Sequence, residues 1–160
     1  MSISDYSALF LDFLQSKELV KAPKNLYEPV DYILGLGGKR LRPVLVLIGT
    51  EAFGGRAKTA LYAALAIEVF HNFTLLHDDI MDDAPIRRGK ATVHEKWDVN
   101  TGILSGDVMM INSYQYLENY STNIFRKLSV LFSRTAVEVC EGQQYDMVFE
   151  TRSDVVLDEY

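Results

Sequence analysis

The sequence predicts an all-α fold, an antiparallel helix bundle, on three observations. Apolar residues recur at three- and four-residue spacing through most of the 160 residues. No stretch sustains a two-residue alternation for long. Gly, Pro or Asn stand where one helical run gives way to the next.

Each element follows in order. Ser4 can cap a first helix carrying Ala8, Leu9, Leu11, Phe13 and Leu14 to about Val20, and Ala22-Pro23-Lys24 breaks it. Asn25 can cap a second, short helix through Tyr32, Ile33 and Leu36 that ends in Gly35-Leu36-Gly37-Gly38. After the basic turn Lys39-Arg40-Leu41-Arg42, Pro43 suits a first helical position, so Val44 to Phe53 reads as a third helix closed by Gly54-Gly55. Its β-branched residues make a buried strand the alternative. Lys58 to Asp83 is the long central helix, with so few polar positions that it should be buried almost all round. Arg87 to Lys96 reads as a loop with a turn at Thr92-Val93-His94. Helical spacing resumes from Gly102 to Tyr120, where Gly102, Ser105 and Gly106 permit close contact with a neighbouring helix. Asn123 can cap a last helix to about Phe149. Ser153-Asp154 resembles a fresh helix start with few residues after it, so the natural protein is expected to continue.

Composition narrows the function. Hydrophobic residues at 48% can fill a core, and a net charge of −6 excludes a nucleic-acid binder that relies on a broad basic surface. The single Cys140 rules out a disulfide framework or a Cys-based zinc site, and a reducing cytoplasmic setting follows as the expectation. The N-terminus has no signal-peptide pattern, and the longest uninterrupted apolar run, Val44 to Ile48, is too short to span a membrane.

The most informative stretch is Leu75-Leu76-His77-Asp78-Asp79-Ile80-Met81-Asp82-Asp83, followed by Pro85 and Arg87-Arg88-Gly89-Lys90. Four carboxylates gather at a helix C-terminus, where the macrodipole already presents negative charge. They need a cation. Asp78 and Asp82 share a face at i, i+4, and oxygen donors at that spacing suit Mg²⁺, which keeps its other positions for water and phosphate oxygens. Arg87 and Arg88 would grip the same phosphates through forked hydrogen bonds. A second anion site is offered by Gly37-Gly38-Lys39-Arg40-Leu41-Arg42-Pro43, a glycine turn with three cations that matches neither phosphate-binding glycine fingerprint. His71, two turns before Asp78, can donate to an anion, whereas His77 and His94 read as core histidines bonded to backbone. Gln143 and Asp146 share a face of the last helix.

Taken together, Gly37 to Pro43, His71, Leu75 to Asp82, Arg87-Arg88-Gly89, Thr92-Val93-His94, Gly106-Asp107 and Gly142-Gln143-x-x-Asp146 resemble the trans-isoprenyl diphosphate synthases, geranylgeranyl and farnesyl diphosphate synthases among them. The motifs occur in family order from about residue 25 onward. That resemblance implies condensation of isopentenyl diphosphate with an allylic diphosphate, in a helical bundle around a deep cavity, usually as a homodimer. It makes Asp78 and Asp82, supported by Asp79, the Mg²⁺-mediated allylic diphosphate site, with Arg87 on the same diphosphate. Lys39, Arg42, His71 and Arg88 match the isopentenyl diphosphate contacts. Gln143 and Asp146 match the late-helix pair, Asp146 near the metal. Thr74 and Phe73, four and five positions before Asp78, match the floor of the chain pocket, so a C15 to C20 product is expected. The released diphosphate takes the final proton, and no side chain is nominated as general base. The family's second aspartate-rich motif has no counterpart here, so residues 1–160 are expected to be the N-terminal part of one synthase domain and inactive alone. A terpene cyclase has no use for a second diphosphate site, and a non-catalytic subunit would usually have lost the aspartates.

Overall fold

The computed structural model describes residues 1–157, which form two compact units, residues 1–119 and residues 120 onward. In the first unit α1 (Ile3–Gln15), α2 (Lys24–Gly35), α3 (Leu41–Ala52), α4 (Leu61–Met81), α5 (Val93–Lys96) and α6 (Val99–Leu117) pack around α4. A two-residue hairpin, β1 (Ile86–Arg87) and β2 (Lys90–Ala91), joins α4 to α5. The second unit is essentially one helix, α7 (Thr122–Phe149).

The all-α expectation holds, with corrected ends. Ser2, rather than Ser4, caps α1: its side chain accepts from the Asp5 amide while the Asp5 carboxylate accepts from the Ser2 amide, a reciprocal capping box. The helix stops at Gln15, five residues short of Val20. α2 begins at Lys24 behind Pro23 and encloses Pro29, and Asn25 is inside it. α3 is a helix and not a strand. It starts at Leu41, which puts Pro43 third, still within the first turn whose amides have no partner inside the helix. Tyr6 of α1 donates to Glu51 of α3 at 2.5 Å, fixing the two together.

Helix α4 is the axis of the unit. Ala57–Ala60 is a short 3₁₀ turn before it, and no residue from Leu61 to Ile80 is exposed, as its near-continuous apolar sequence predicts. Ala57–Met81 has the length and hydropathy to cross a bilayer, yet half of its most apolar window is buried inside the protein, and it carries the buried carboxylates Glu68 and Asp79, each paired with an arginine. Those are the properties of a core helix. α6, capped by Asp98 through the Thr101 amide, approaches α4 closely at Gly102 and Gly106, while Ser105 donates to Leu26 O of α2 at 2.9 Å. A Cβ on Gly102 would meet Ile80 at 2.8 Å, and one on Gly106 would collide with the His77 ring, so the small residues set the helix separation as expected.

The segment expected to be a loop is more ordered than its sequence suggests. β1 and β2 pair Ile86 with Ala91 and Arg87 with Lys90, leaving Arg88 and Gly89 as a two-residue turn with φ of 53° and 76°. Positive φ at both positions is the turn that matches strand twist, and Gly89 supplies one of them without strain. Thr92 then ties the hairpin back: its hydroxyl donates to Ala84 O and its amide to Pro85 O. Residues 153–156 form no helix, so the helix start expected at Ser153-Asp154 is not made there, and residues 158–160 lie outside the described part.

Candidate active site

The end of α4 is built by its own backbone. The Ala84 amide donates to Asp79 O at 2.9 Å and the Asp83 amide to Ile80 O at 3.3 Å, the paired bonds of a Schellman closure. Asp78 and Asp79 are therefore in the helix, Asp82 is its C-cap, and Asp83 lies beyond it at φ 50°. Glycine is the customary residue in that left-handed position. Asp83→Gly is expected to raise stability by about 0.5–1 kcal/mol, by relieving both the backbone strain and a carboxylate at the negative end of the dipole. Chemical denaturation measures it.

The cation that the acid cluster requires is Arg87. The hairpin folds it back over the helix end, where Nε donates to both Asp79 oxygens at 2.8 Å and Nη2 lies 2.7 Å from Oδ1. Nη2 also lies 3.7 Å from Asp78 Oδ2. The Asp79 hydrogen bonds raise the Arg87 pKa above its ordinary value and fix the charge. Asp79 is buried, and both of its oxygens are engaged. Asp79 is therefore committed to Arg87, while Asp78 and Asp82, one turn apart and accessible, could hold a metal. Hard oxygen donors with room around them for water fit Mg²⁺.

Another donor set, Asp83, His94 and Glu95, lies within 4.8 Å of one another. That spread is wider than the roughly 3 Å between ligands that share an ion at about 2.1 Å. His94 is buried with no hydrogen-bond partner for either ring nitrogen, and Glu95 is 3.8 Å away, so the expected backbone bond is absent. His77 does make one, through Nε2 and Ile103 O at 3.2 Å.

The second group forms on the other side of the hairpin. Arg88 Nη1 donates to Gly37 O, and its guanidinium covers Gly38. Arg42 Nη1 lies 3.2 Å from His71 Nε2, a contact in which arginine donates to a neutral imidazole. Burial and the Arg42 charge depress the His71 pKa below its ordinary value near 6.5. A depressed histidine contributes stability above the unfolded-state pKa and loses it as pH falls through the folded one, because the unfolded chain then binds the extra proton. The thermal midpoint is thus expected to fall with pH below about 6.5, and less steeply in His71→Gln. Lys39 is exposed beside this group, as is Arg42. Arg40 is not available as the third cation: it is buried and donates to Glu68 and to Leu34 O. The lone acid in the apolar run of α4, Glu68, was the sequence signal for a buried partner.

Phe73 and Thr74 face apart in role. The Phe73 ring meets Phe70 at 5.4 Å and His77 at 4.8 Å, both edge-on, forming an aromatic ladder along α4 toward the aspartates. Thr74 turns its hydroxyl onto His71 O at 2.8 Å. Gln143 and Asp146 are on α7 in the second unit, Asp146 exposed and Gln143 half-buried.

The chain matches known proteins along nearly its whole length. Residues 23–160 match the family described as polyprenyl synthetase. The chain belongs to that family. Among polyprenyl synthetases, a geranylgeranyl diphosphate synthase from Methanosarcina mazei is 44% identical over 144 residues, covering 88% of this chain and 44% of the relative. A crystal structure of a geranylgeranyl pyrophosphate synthase superposes with a TM-score of 0.97 at 58% identity, covering 100% of this chain and 49% of that one. The enzyme from the archaeon Geoglobus acetivorans gives 0.92 at 42% identity, covering 99% and 52%. The chain thus spans about half the length of the relatives it matches.

Proposed function

We propose that the protein, at the length of its relatives, is a Mg²⁺-dependent prenyltransferase. It condenses isopentenyl diphosphate with an allylic diphosphate to give an all-trans C15 to C20 prenyl diphosphate in isoprenoid biosynthesis. Residues 1–160 belong to one synthase domain in this reading, working as a cytoplasmic homodimer. The observation that carries it is the pair of side-chain clusters flanking one hairpin, which suit two diphosphates: Asp78, Asp82 and Arg87 on one side, and Lys39, Arg42, His71 and Arg88 on the other. A terpene cyclase needs only the first, and a non-catalytic subunit has no need of the intact aspartates.

Asp78 and Asp82 would hold Mg²⁺, whose positive charge would neutralise the allylic diphosphate as its C–O bond ionises. Arg87, already oriented by Asp79, adds a fixed positive charge where the leaving group gains negative charge. The second cation group holds isopentenyl diphosphate by its own diphosphate, leaving its double bond to attack the allylic cation. The reaction requires that water be kept from that cation, which would otherwise be quenched. The proton lost from the new carbon skeleton goes to the released diphosphate.

Incubating the full-length protein with both diphosphates, with and without EDTA, and chromatographing the products tests the proposal. EDTA-sensitive C15 to C20 products support it, and no condensation with Mg²⁺ present rejects it. Phe73→Ala is expected to shift the product distribution by at least one five-carbon unit, because the ring stands about 7.5 Å along the helix from Asp78 and blocks chain growth. An unchanged distribution would remove Phe73 from that role.

A further inference from the structure

We infer that Arg40 and Glu68 are positioning residues for the second diphosphate site, a buried ion pair that sets where Lys39 and Arg42 stand against His71 and Arg88. The inference rests on the reading of that cation group as a diphosphate site. Arg40 is 6% and Glu68 3% exposed, so neither reaches a ligand. One Arg40 nitrogen donates to Glu68 in the middle of α4, and another to Leu34 O at the end of α2, a carbonyl with no partner inside its helix. A single guanidinium thereby joins the end of α2, the start of α3 and the centre of α4. Asn72 holds the carboxylate from below, donating to Glu68 Oε1 at 3.0 Å and to Glu68 O at 2.8 Å.

Two features show that stability alone does not explain the pair. Arg40 sits at φ 49° and ψ 35°, a left-handed conformation that residues other than glycine adopt only at a cost. That conformation turns Arg40 inward while Lys39 and Arg42, on either side, remain exposed. A buried ion pair is also seldom more stabilising than an apolar pair of the same volume. Both costs fall at the residue between the two ligand-facing cations. Glu68 is three residues before His71, so the anchor of the pair in α4 stands one turn from the histidine that Arg42 meets.

Charge-preserving variants of the full-length protein test this: Glu68→Asp, one methylene short, and Arg40→Lys, which cannot span both acceptors. The expected result is a rise of about tenfold in KM for isopentenyl diphosphate, about 1.4 kcal/mol, with KM for the allylic diphosphate and kcat within about twofold. An unchanged KM for isopentenyl diphosphate overturns the inference, as does an equal rise for both substrates with a lowered thermal midpoint, the mark of a packing role. Should either variant fail to fold, Arg40→Met with Glu68→Leu replaces the pair by apolar volume and is expected to show the same selective loss. Titration with inorganic pyrophosphate in EDTA separates the two readings. If the unaltered protein consumes no isopentenyl diphosphate, the substrate assignment fails. Weaker pyrophosphate binding by Arg40→Lys would still uphold the positioning role, and unchanged binding would reject it.

Discussion

Asp78→Asn combined with Asp82→Asn is expected to lower kcat/KM by on the order of 10³ or more while leaving the fold intact. The two carboxylates stand one turn apart at the accessible end of α4, and the hydrogen bonds that hold Arg87 go to Asp79, with Asp78 3.7 Å from the same guanidinium. Removing their charge relieves repulsion at the negative end of the helix, so the thermal midpoint should hold or rise slightly. Activity and stability are therefore expected to move in opposite directions. A variant that loses both would mean the pair is structural. Asp79→Asn should behave in the reverse sense, losing stability first, because it leaves the Arg87 guanidinium without its buried partner.

Gly38→Ala is the second large effect. Gly38 has φ 128°, and an added Cβ would lie 2.9 Å from Arg88 Cζ and Nη1. The backbone position is one that L-residues rarely adopt, and the colliding group is itself held on Gly37 O and on a left-handed turn residue. A displacement of about 1 Å in a positioned group can cost on the order of 100-fold. KM for isopentenyl diphosphate is expected to rise by that order, with the allylic diphosphate little affected, in steady-state assays that vary each substrate in turn. Equal loss for both would place Gly38 outside the second site.

Much of this architecture follows from spacing that the sequence displays. The near-absence of polar residues in α4 predicts its central burial, and Gly102, Ser105 and Gly106 predict the close approach of α6. The acid cluster at a helix end predicts a folded-back cation, and Arg87 is that cation. What spacing does not carry is the direction of a side chain after a positive φ. Arg40, Asp83 and Arg88 all adopt left-handed backbone without being glycine, so periodicity misplaces Arg40 on the surface and Asp83 inside the helix. The hairpin was hidden for the same reason, since Arg88 and Gly89 form a turn whose usual first residue is Asn, Asp or Gly. His94 shows a different gap: its burial without a hydrogen-bond partner depends on a tertiary environment to which local sequence gives no access.

Helix α4 carries Glu68, His71, Phe73, Asp78 and Asp79 in one unbroken rod. Each residue inserted between Phe73 and Asp78 would rotate everything upstream by about 100° and lift it by about 1.5 Å. His71 would swing away from Arg42, and Glu68 from Arg40, in the same step that moved the ring. Exchanging side chains in place therefore leaves the rod's register untouched, whereas adding or deleting a residue in that interval would break the Arg42–His71 and Arg40–Glu68 contacts and turn both away from the aspartates.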